Sequence, residues 1–169
     1  MIKKSYEITS REITMPDISG ISYTDTIIKS ITNYEGRISW NDYFMSMAFI
    51  AASRSDCKRL NVGCVLVKNN RIISMGYNGY LSKAPHESII RDNHEQATVH
   101  AEQNAISDAA KRGISVDEAT AYITHYPCIN CCKILCASGI KSIKYHLDYK
   151  KDENVAKLLC QIDIPIMQY

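Results

Sequence analysis

A helix near residue 40 is the clearest element in the pattern of apolar and polar positions. Ser39 followed by Asp42 has the spacing of a capping box, and apolar residues then recur at offsets of three and four. This combination predicts a helix over residues 39–55. The apolar positions that define it are Trp40, Tyr43, Phe44, Met47, Ala48 and Ala51.

Beyond this helix, β-rich runs alternate with helical patterns. Residues 62–67 and 71–75 are two such runs, and the polar residues between them predict a hairpin. No convincing period follows from Tyr77 to about Thr98. Helices are predicted over 99–112, 128–138 and 152–161, and strands over 119–124, 141–146 and 164–167. The alternation indicates an α/β fold, with a largely parallel sheet, an antiparallel edge hairpin and helices on both faces.

The first 37 residues differ from the rest because they show no sustained period and contain the breaks Pro16, Gly20 and Gly36. We interpret residues 1–37 as an N-terminal extension, a partly ordered arm rather than a ligand-binding segment, and residues 38–169 as one domain. The N-terminus lacks the apolar stretch of a secretory signal, and no apolar run approaches the length of a membrane span. We therefore expect a soluble, cytoplasmic protein.

Charge and cysteine content narrow the function classes. A net charge of +2 gives no large single-sign field, which favours a small-molecule substrate over a polymeric nucleic acid. The 7 cysteines are an odd number without the density of a disulfide scaffold, so we interpret them as metal ligands, catalytic groups or core residues. Cys64, Cys136 and Cys160 fall within predicted elements and are expected in the core.

The strongest chemical signal joins two predicted helix starts. The segment H-A-E opens one helix, and P-C-I-N-C opens another. Cys128 and Cys131 are three apart and share a helix face, and His100 can join them if it lies at the helix end. One imidazole and two thiolates leave the fourth tetrahedral position of zinc open, which is typical of a catalytic site. Glu102, close by but not a ligand, can then transfer protons.

Each half of this pattern has a common alternative. A lone C-x-x-C also forms redox pairs or half of a structural zinc site, and a lone H-x-E is also an ordinary helix start. Together, in this order, they form the signature of zinc deaminases. Cys132 lies four residues after Cys128, so spacing allows it as a substitute ligand, although the motif favours Cys131.

With these residues in view, the chain resembles the deoxycytidylate deaminase family, within the cytidine deaminase-like fold, over residues 38–168. The resemblance rests on residues 40–63, 76–79, 100–102, 124–131 and 148–149. It implies a three-layer α/β/α sandwich around a five-stranded mixed sheet. It also implies a catalytic zinc and hydrolysis at C4 of deoxycytidylate, giving deoxyuridylate, with Glu102 carrying protons to N3 and to the leaving ammonia.

The same resemblance implies the parts of a substrate site. Asn78 would hydrogen-bond the sugar, Tyr149 would pack near the base, and Ala101 belongs to the same site. Asn-Gly is also a common turn sequence, and a half-exposed aromatic at a strand end is an equally ordinary explanation of the tyrosine. A phosphate requires cations or backbone N–H groups, and the candidates near these motifs are Lys58, Arg59 and Arg91.

A second, structural zinc is compatible with the long segment before H-A-E. By resemblance, Cys57, His86 and His94 match positions that supply ligands. A zinc ion bound by them would order a loop that has little apolar content. Solvated loop histidines and a buried thiol explain the same residues. No fourth ligand is evident, and Glu87 or Glu95 would be guesses.

Further expectations concern substrate range and assembly. Residues 80–85 lack the Arg-containing stretch linked to regulatory nucleotides in many family members, so the resemblance leaves control by dCTP and dTTP open. The rival functions are a dCTP or dual-specificity deaminase, a deaminase of tRNA or single-stranded DNA bases, and a catalytically silent zinc scaffold. Glu102 argues against the scaffold, since a structural site needs no proton carrier. The family resemblance implies a homo-oligomer, with a hexamer as one form.

Overall fold

The computed structural model describes residues 22–92 and 94–169, and the side chain of His94 lies outside this description. The described residues fall into two units, residues 22–37 and Ile38–Tyr169. In the first, α1 spans Tyr23–Thr32 and begins with a capping box formed by Ser22 and Asp25. The sequence analysis missed α1 because this 10-residue helix is rich in Thr and Ser and buries no side chain. The rest of the predicted extension, residues 1–21, lies outside the described residues.

Helices and strands alternate through the second unit. Its helices are α2 (Trp40–Ala52), α3 (Ala101–Lys111), α4 (Ile129–Ala137) and α5 (Glu153–Gln161). Its strands are β1 (Gly63–Lys68), β2 (Arg71–Tyr77), β3 (Gly79–Tyr80), β4 (Ile90–Arg91), β5 (His94–Glu95), β6 (Thr98–Val99), β7 (Thr120–His125), β8 (Ser142–Leu147) and β9 (Ile166–Gln168). Every predicted helix and strand is present. Within the described ranges, no helix has the length and apolar character that a membrane crossing requires.

The central sheet has five strands in the order β2-β1-β7-β8-β9. β1 is antiparallel to β2 and β7, whereas β7, β8 and β9 are parallel to one another. Asn69 and Asn70 connect β1 to β2 with φ angles of 51° and 56°. Two left-handed residues form the type I′ turn, whose twist matches that of a hairpin. The mixed sheet with an antiparallel edge hairpin is therefore confirmed.

Helices cover both faces of this sheet. On one face, Phe44 of α2 packs with Val65 and Tyr122. On the other face, α3, α4 and α5 enclose a larger core around Leu66 and Ile123. Successive residues of β1 and of β7 thus enter different cores, as the alternation of side chains along a strand requires. This arrangement is the predicted three-layer α/β/α sandwich.

The three cysteines expected in the core differ in burial. Cys64 is fully buried, Cys136 is half-buried and Cys160 is exposed, so the prediction for Cys160 was wrong. Val155 and Leu159 form the buried face of α5. Cys160 follows Leu159 by one residue, about 100° further around the helix, and therefore faces away from the core.

The segment before α3, for which the sequence predicts no regular structure, contains two small strand pairs. β3 pairs with β6, and β4 pairs with β5. The Glu95 carboxylate accepts hydrogen bonds from the Ser88 hydroxyl and from the backbone N–H groups of Ile89 and Ala97. These contacts join polar groups, so the pattern of apolar positions gives no sign of them. Through β6, this folded segment leads directly into α3.

Candidate active site

The starts of α3 and α4 lie close together. His100 is the N-cap of α3 and Cys128 is the N-cap of α4, both with the extended backbone that precedes a helix. The side chain of Gln103 accepts a hydrogen bond from the His100 backbone N–H at 3.2 Å, which holds the turn into α3. The Nδ1 atom of His100 lies 3.7 Å from Cys128 Sγ and 3.3 Å from Cys131 Sγ. The helix starts therefore bring both sequence motifs to one point.

His100, Cys128 and Cys131 form a group that fits a zinc ion. Their ligand atoms all lie within 4.8 Å of one another. An imidazole nitrogen and two sulfurs are ligands that zinc prefers, and three protein ligands leave one tetrahedral position free for water or substrate. Cys132, the substitute that spacing allows, is instead fully buried in the larger core. The geometry therefore favours Cys131 as the third ligand.

Hydrogen bonds within this group shift the two thiols in opposite directions. The hydrogen bond from Cys131, and then the one with His100, lowers the pKa of Cys128 to about 4. The same contact with Cys128, together with burial, raises the pKa of Cys131. The Cys128 sulfur also raises the pKa of His100. Cys128 is thus a thiolate at neutral pH beside the partial positive charge of a helix N-terminus, and the thiolate is the form that binds metal.

Glu102 lies in the first turn of α3, next to the metal-ligand group but outside it. Its side chain is 4% exposed, and burial is the main reason why the pKa of its carboxyl group is raised. The carboxyl group is within hydrogen-bonding reach of Cys131. A buried carboxyl group beside a metal centre is placed to accept a proton and return it.

A cavity of about 710 Å³ opens at the metal-ligand group and Glu102. Asn78, Ala101 and Tyr149, which the resemblance implies as substrate residues, line this cavity. The structure therefore brings together the motifs on which the resemblance rests, although they are far apart in the sequence. Which of these residues contact a substrate stays a prediction.

Arg59 is tied to Tyr149 in the cavity wall. Nη2 of Arg59 donates a hydrogen bond to the Tyr149 hydroxyl at 2.9 Å. Arg91 also lines the cavity, whereas Lys58 is not among the lining residues. Two guanidinium groups near an aromatic ring suit a ligand that carries both an anionic group and a flat base.

Asn78 braces the loop that carries Arg59. Its Oδ1 accepts a hydrogen bond from the Val62 N–H, and its Nδ2 donates one to the Leu60 carbonyl, both at 2.7 Å. An asparagine amide has a second N–H hydrogen and a second lone pair, so a contact with a ligand is still available to it. Asn78 thus braces the backbone of a neighbouring loop rather than forming a turn of its own, and the sugar contact stays a prediction.

The residues expected for a second zinc are only partly described. Cys57 is buried, while the Nδ1 atom of His86 lies 2.5 Å from the Asp56 carboxylate and its ring stacks on Tyr80. The side chain of His94 lies outside the described residues. Glu95, one guess for a fourth ligand, is occupied by its loop hydrogen bonds, and Glu87 is exposed. The second zinc therefore stays a prediction.

Several residues that line the cavity were missed by the sequence analysis. They are polar or aromatic and lie at or after the ends of β7 and β8, where the strand ends approach the metal-ligand group. A search for such residues at the strand ends next to H-A-E and P-C-I-N-C could have found them. They are His125, Tyr126, Lys150 and Asp152.

An α/β/α sandwich that holds three zinc ligands, a buried carboxyl group and a substrate-sized cavity at one site defines a zinc-dependent enzyme. The chain belongs to the family described as the cytidine and deoxycytidylate deaminase zinc-binding region, whose model matches residues 38–147. The family resemblance and the zinc-binding character inferred from the sequence are thereby confirmed.

Similar proteins and structures agree with this membership. ComE operon protein 2 of Bacillus subtilis is 42% identical over 136 residues, which are 78% of this chain and 72% of that protein. Deoxycytidylate deaminase of Schizosaccharomyces pombe is 35% identical over 145 residues, 79% of this chain but only 45% of the yeast protein. A crystal structure of dCMP deaminase from cyanophage S-TIM5 with dCMP and dUMP matches with a TM-score of 0.71 and 28% identity, covering 80% of this chain and 100% of that one.

Proposed function

We propose that this chain catalyses the hydrolytic deamination of deoxycytidylate to deoxyuridylate, with release of ammonia. The observation that carries the proposal is the position of Glu102, buried beside the His100, Cys128 and Cys131 group at the wall of a cavity. The deoxycytidylate deaminases among its relatives, and the cyanophage enzyme with dCMP and dUMP, support the choice of substrate.

Each residue of the site has a distinct task in this proposal. Bound zinc would act as a Lewis acid that makes water nucleophilic near neutral pH. Glu102 accepts a proton from the attacking water and delivers it to N3 of the cytosine ring, and it then passes the remaining proton of that water, from the hydroxyl group added at C4, to the amine that leaves as ammonia. Because Glu102 lies outside the metal-ligand group, its carboxylate is not needed as a ligand and can take part in this transfer.

Substrate recognition is assigned to the rest of the cavity wall. Arg59 and Arg91 supply the positive charge that a phosphate group requires, and Tyr149 offers an aromatic ring for the base. Asn78 contacts the sugar through the part of its amide that the Leu60 and Val62 backbone leaves unused. The substrate would therefore be a single nucleotide, held by its phosphate and its base.

We extend the proposal to the zinc content and the cellular setting. Cys57, His86 and His94 hold a second, structural zinc, which requires His86 to exchange its Asp56 contact for the metal. Metal analysis of the purified chain should then give two zinc ions rather than one. Free thiols at Cys128 and Cys131 suit the reducing cytoplasm, which we propose as its location.

Self-association is the remaining part of the proposal. Trp40, Tyr43 and Phe49 lie on α2 and are 47%, 40% and 38% exposed. Large apolar side chains concentrated on one helix are typical of a protein–protein interface, here with further copies of the chain. Light scattering of the full-length protein should therefore give a homo-oligomer, with a hexamer as one expected form, and a monomer would contradict this.

The deciding experiment measures ammonia release by the zinc-loaded protein. The panel contains dCMP, dCTP, CMP, deoxycytidine and a cytosine-containing single-stranded oligonucleotide at equal cytosine concentration. We expect the highest kcat/KM for dCMP. A preference for dCTP would assign the protein to the dCTP or dual-specificity deaminases. Activity on the oligonucleotide alone would show that the substrate is a polynucleotide rather than a free nucleotide.

A further inference from the structure

His125 is a cavity residue to which the proposed chemistry assigns no task. It ends β7, three residues before Cys128, and its half-buried imidazole lines the cavity. The Nδ1 atom of His125 lies 2.8 Å from Thr124 Oγ1. The ring also meets Tyr149 edge-on, with the ring centroids 6.1 Å apart and the planes at 88°. His125 therefore sits beside the aromatic ring that we assign to the base.

Thr124 determines which ring nitrogen of His125 carries the hydrogen. The Thr124 side chain is fully buried, and its oxygen already accepts a hydrogen bond from the Gly63 backbone N–H at 3.1 Å. Its own hydroxyl hydrogen needs an acceptor, because a buried donor without one costs about 1–3 kcal/mol. Among the contacts of the described residues, the available acceptor is His125 Nδ1. Nδ1 therefore accepts, and the ring hydrogen is on Nε2.

The same contact keeps the ring neutral. Protonation of Nδ1 would make Thr124 Oγ1 the acceptor of the 2.8 Å contact and leave the buried threonine hydroxyl hydrogen without its acceptor, which is unfavourable. Burial lowers the pKa of His125, and the nearby His146 adds to this effect. No buried side-chain nitrogen or oxygen of the described residues lacks a hydrogen-bond partner. Since Nε2 has no partner among these residues, it is accessible, and its N–H is a fixed neutral donor at the cavity wall.

We propose that His125 is a substrate-binding residue whose Nε2–H donates a hydrogen bond to an oxygen of the bound nucleotide, and that Thr124 is the positioning residue that fixes this tautomer. The assignment rests on the proposed function for the identity of the ligand. The oxygen belongs either to the carbonyl group of the pyrimidine ring or to the phosphate, both of which only accept hydrogen bonds. A neutral donor suits either oxygen.

Kinetics of four zinc-loaded variants test this assignment. His125→Leu removes the donor, whereas His125→Gln keeps an N–H near the position of Nε2. We expect His125→Leu to lower kcat/KM for dCMP about three- to tenfold, the range of one neutral hydrogen bond, and His125→Gln to restore part of the loss. Thr124→Val should give a similar loss and Thr124→Ser a smaller one. Zinc content and thermal unfolding of each variant identify losses that arise from misfolding.

A comparison of dCMP with deoxycytidine identifies the oxygen. A loss caused by His125→Leu with both substrates indicates the ring carbonyl, and a loss with dCMP alone indicates the phosphate. Either outcome supports the assignment. Unchanged kcat/KM with both substrates would overturn it.

The tautomer can be measured without any turnover. Nitrogen-15 NMR of histidine-labelled protein should show a pyridine-like Nδ1 and a protonated Nε2 for His125, and Thr124→Val should populate the other tautomer. A protonated Nδ1 in the wild-type protein would refute the role of Thr124. If the wild-type protein deaminates no cytosine nucleotide, the proposed function fails. Titration of dCMP into wild-type protein and His125→Leu still decides the binding role, because equal affinities would overturn it.

Discussion

Gly76 of β2 lies so close to Ala101 of α3 that a methyl group at residue 76 would overlap the Ala101 carbonyl oxygen. The backbone nitrogen of Ala105, one turn further along α3, would be overlapped as well. Because Ala101 stands between His100 and Glu102, this contact between strand and helix sets where a zinc ligand and the proton carrier lie relative to the sheet. Gly76 therefore helps to position His100 and Glu102 by allowing α3 to pack closely against β2.

Replacing this glycine should damage both the fold and the metal centre. Gly76→Ala forces α3 away from β2, and we expect a loss of about 2–4 kcal/mol in the free energy of unfolding. Zinc content should fall as well, because His100 moves with the helix. Gly79→Ala is the matched control, since a Cβ there would meet only the Tyr77 side chain, at 3.5 Å. Urea denaturation and metal analysis of both variants check this, and equal stability of the two would contradict it.

Glu102→Gln separates catalysis from metal binding. The amide has the shape of the carboxyl group, and Glu102 is not among the zinc ligands, so zinc content and folding should be kept. Ammonia release from dCMP should fall by about 100-fold or more, because the amide cannot carry a proton. Equal zinc content with more than a small fraction of the wild-type rate would exclude Glu102 as the proton carrier.

Cys131 and Cys132 are neighbours with different tasks, and alanine substitutions should distinguish them. Cys131→Ala removes one of the three ligands and should reduce bound zinc to well below one equivalent at the metal-ligand group. Cys132→Ala leaves a small cavity in the larger core, with a loss of about 1 kcal/mol and the zinc retained. The measurement is the zinc lost per chain, relative to wild type, after gel filtration. The opposite pattern would assign the third ligand to Cys132.

The fold was predictable from the sequence wherever a local signal had one structural meaning. Two β-rich runs separated by Lys68, Asn69 and Asn70 predicted the hairpin, and these asparagines tolerate the left-handed backbone that its turn requires. The return of helical spacing predicted helices from residues 99 and 128, close to the helix starts at His100 and Cys128. Side chains at two helix starts can approach one another, and this reasoning predicted the metal-ligand group.

Contacts between distant polar groups were not predictable in the same way. The Glu95 contacts that close the segment before α3 and the Gly63–Thr124 hydrogen bond join groups whose identity implies no particular partner. The role of His125 depends on that second bond, so it becomes visible only once β1 and β7 are seen side by side. The burial of Cys160 was also not predictable, because the neighbouring residue of a helix can face the opposite environment: Leu159 is buried and Cys160 is exposed.

Asp108 of α3 holds the back of the helix to β2 through charge and hydrogen bonds. Its carboxylate accepts hydrogen bonds from the Ser74 hydroxyl at 2.9 Å and from Arg112 Nε at 3.0 Å, and Arg112 also donates to the Ile73 carbonyl at 2.8 Å. The hydrogen bonds from Arg112, and then the one from Ser74, lower the pKa of Asp108. The ionised form is therefore favoured by folding.

Removing the Asp108 carboxylate should make the free energy of unfolding less dependent on pH in the acidic range. A carboxyl group whose pKa is lowered by folding adds stability above its unfolded pKa of about 4, and this contribution disappears as the pH falls through the folded pKa. Asp108→Asn should therefore lower the free energy of unfolding by about 1 kcal/mol at neutral pH, a modest value because solvent screens the half-exposed ion pair with Arg112. The difference from wild type should shrink below about pH 4. Urea denaturation over this range measures it, with Glu153→Gln as the control, since the ion pair of Glu153 with Lys157 is exposed. A difference that stays constant with pH would show that Asp108 acts through shape rather than charge.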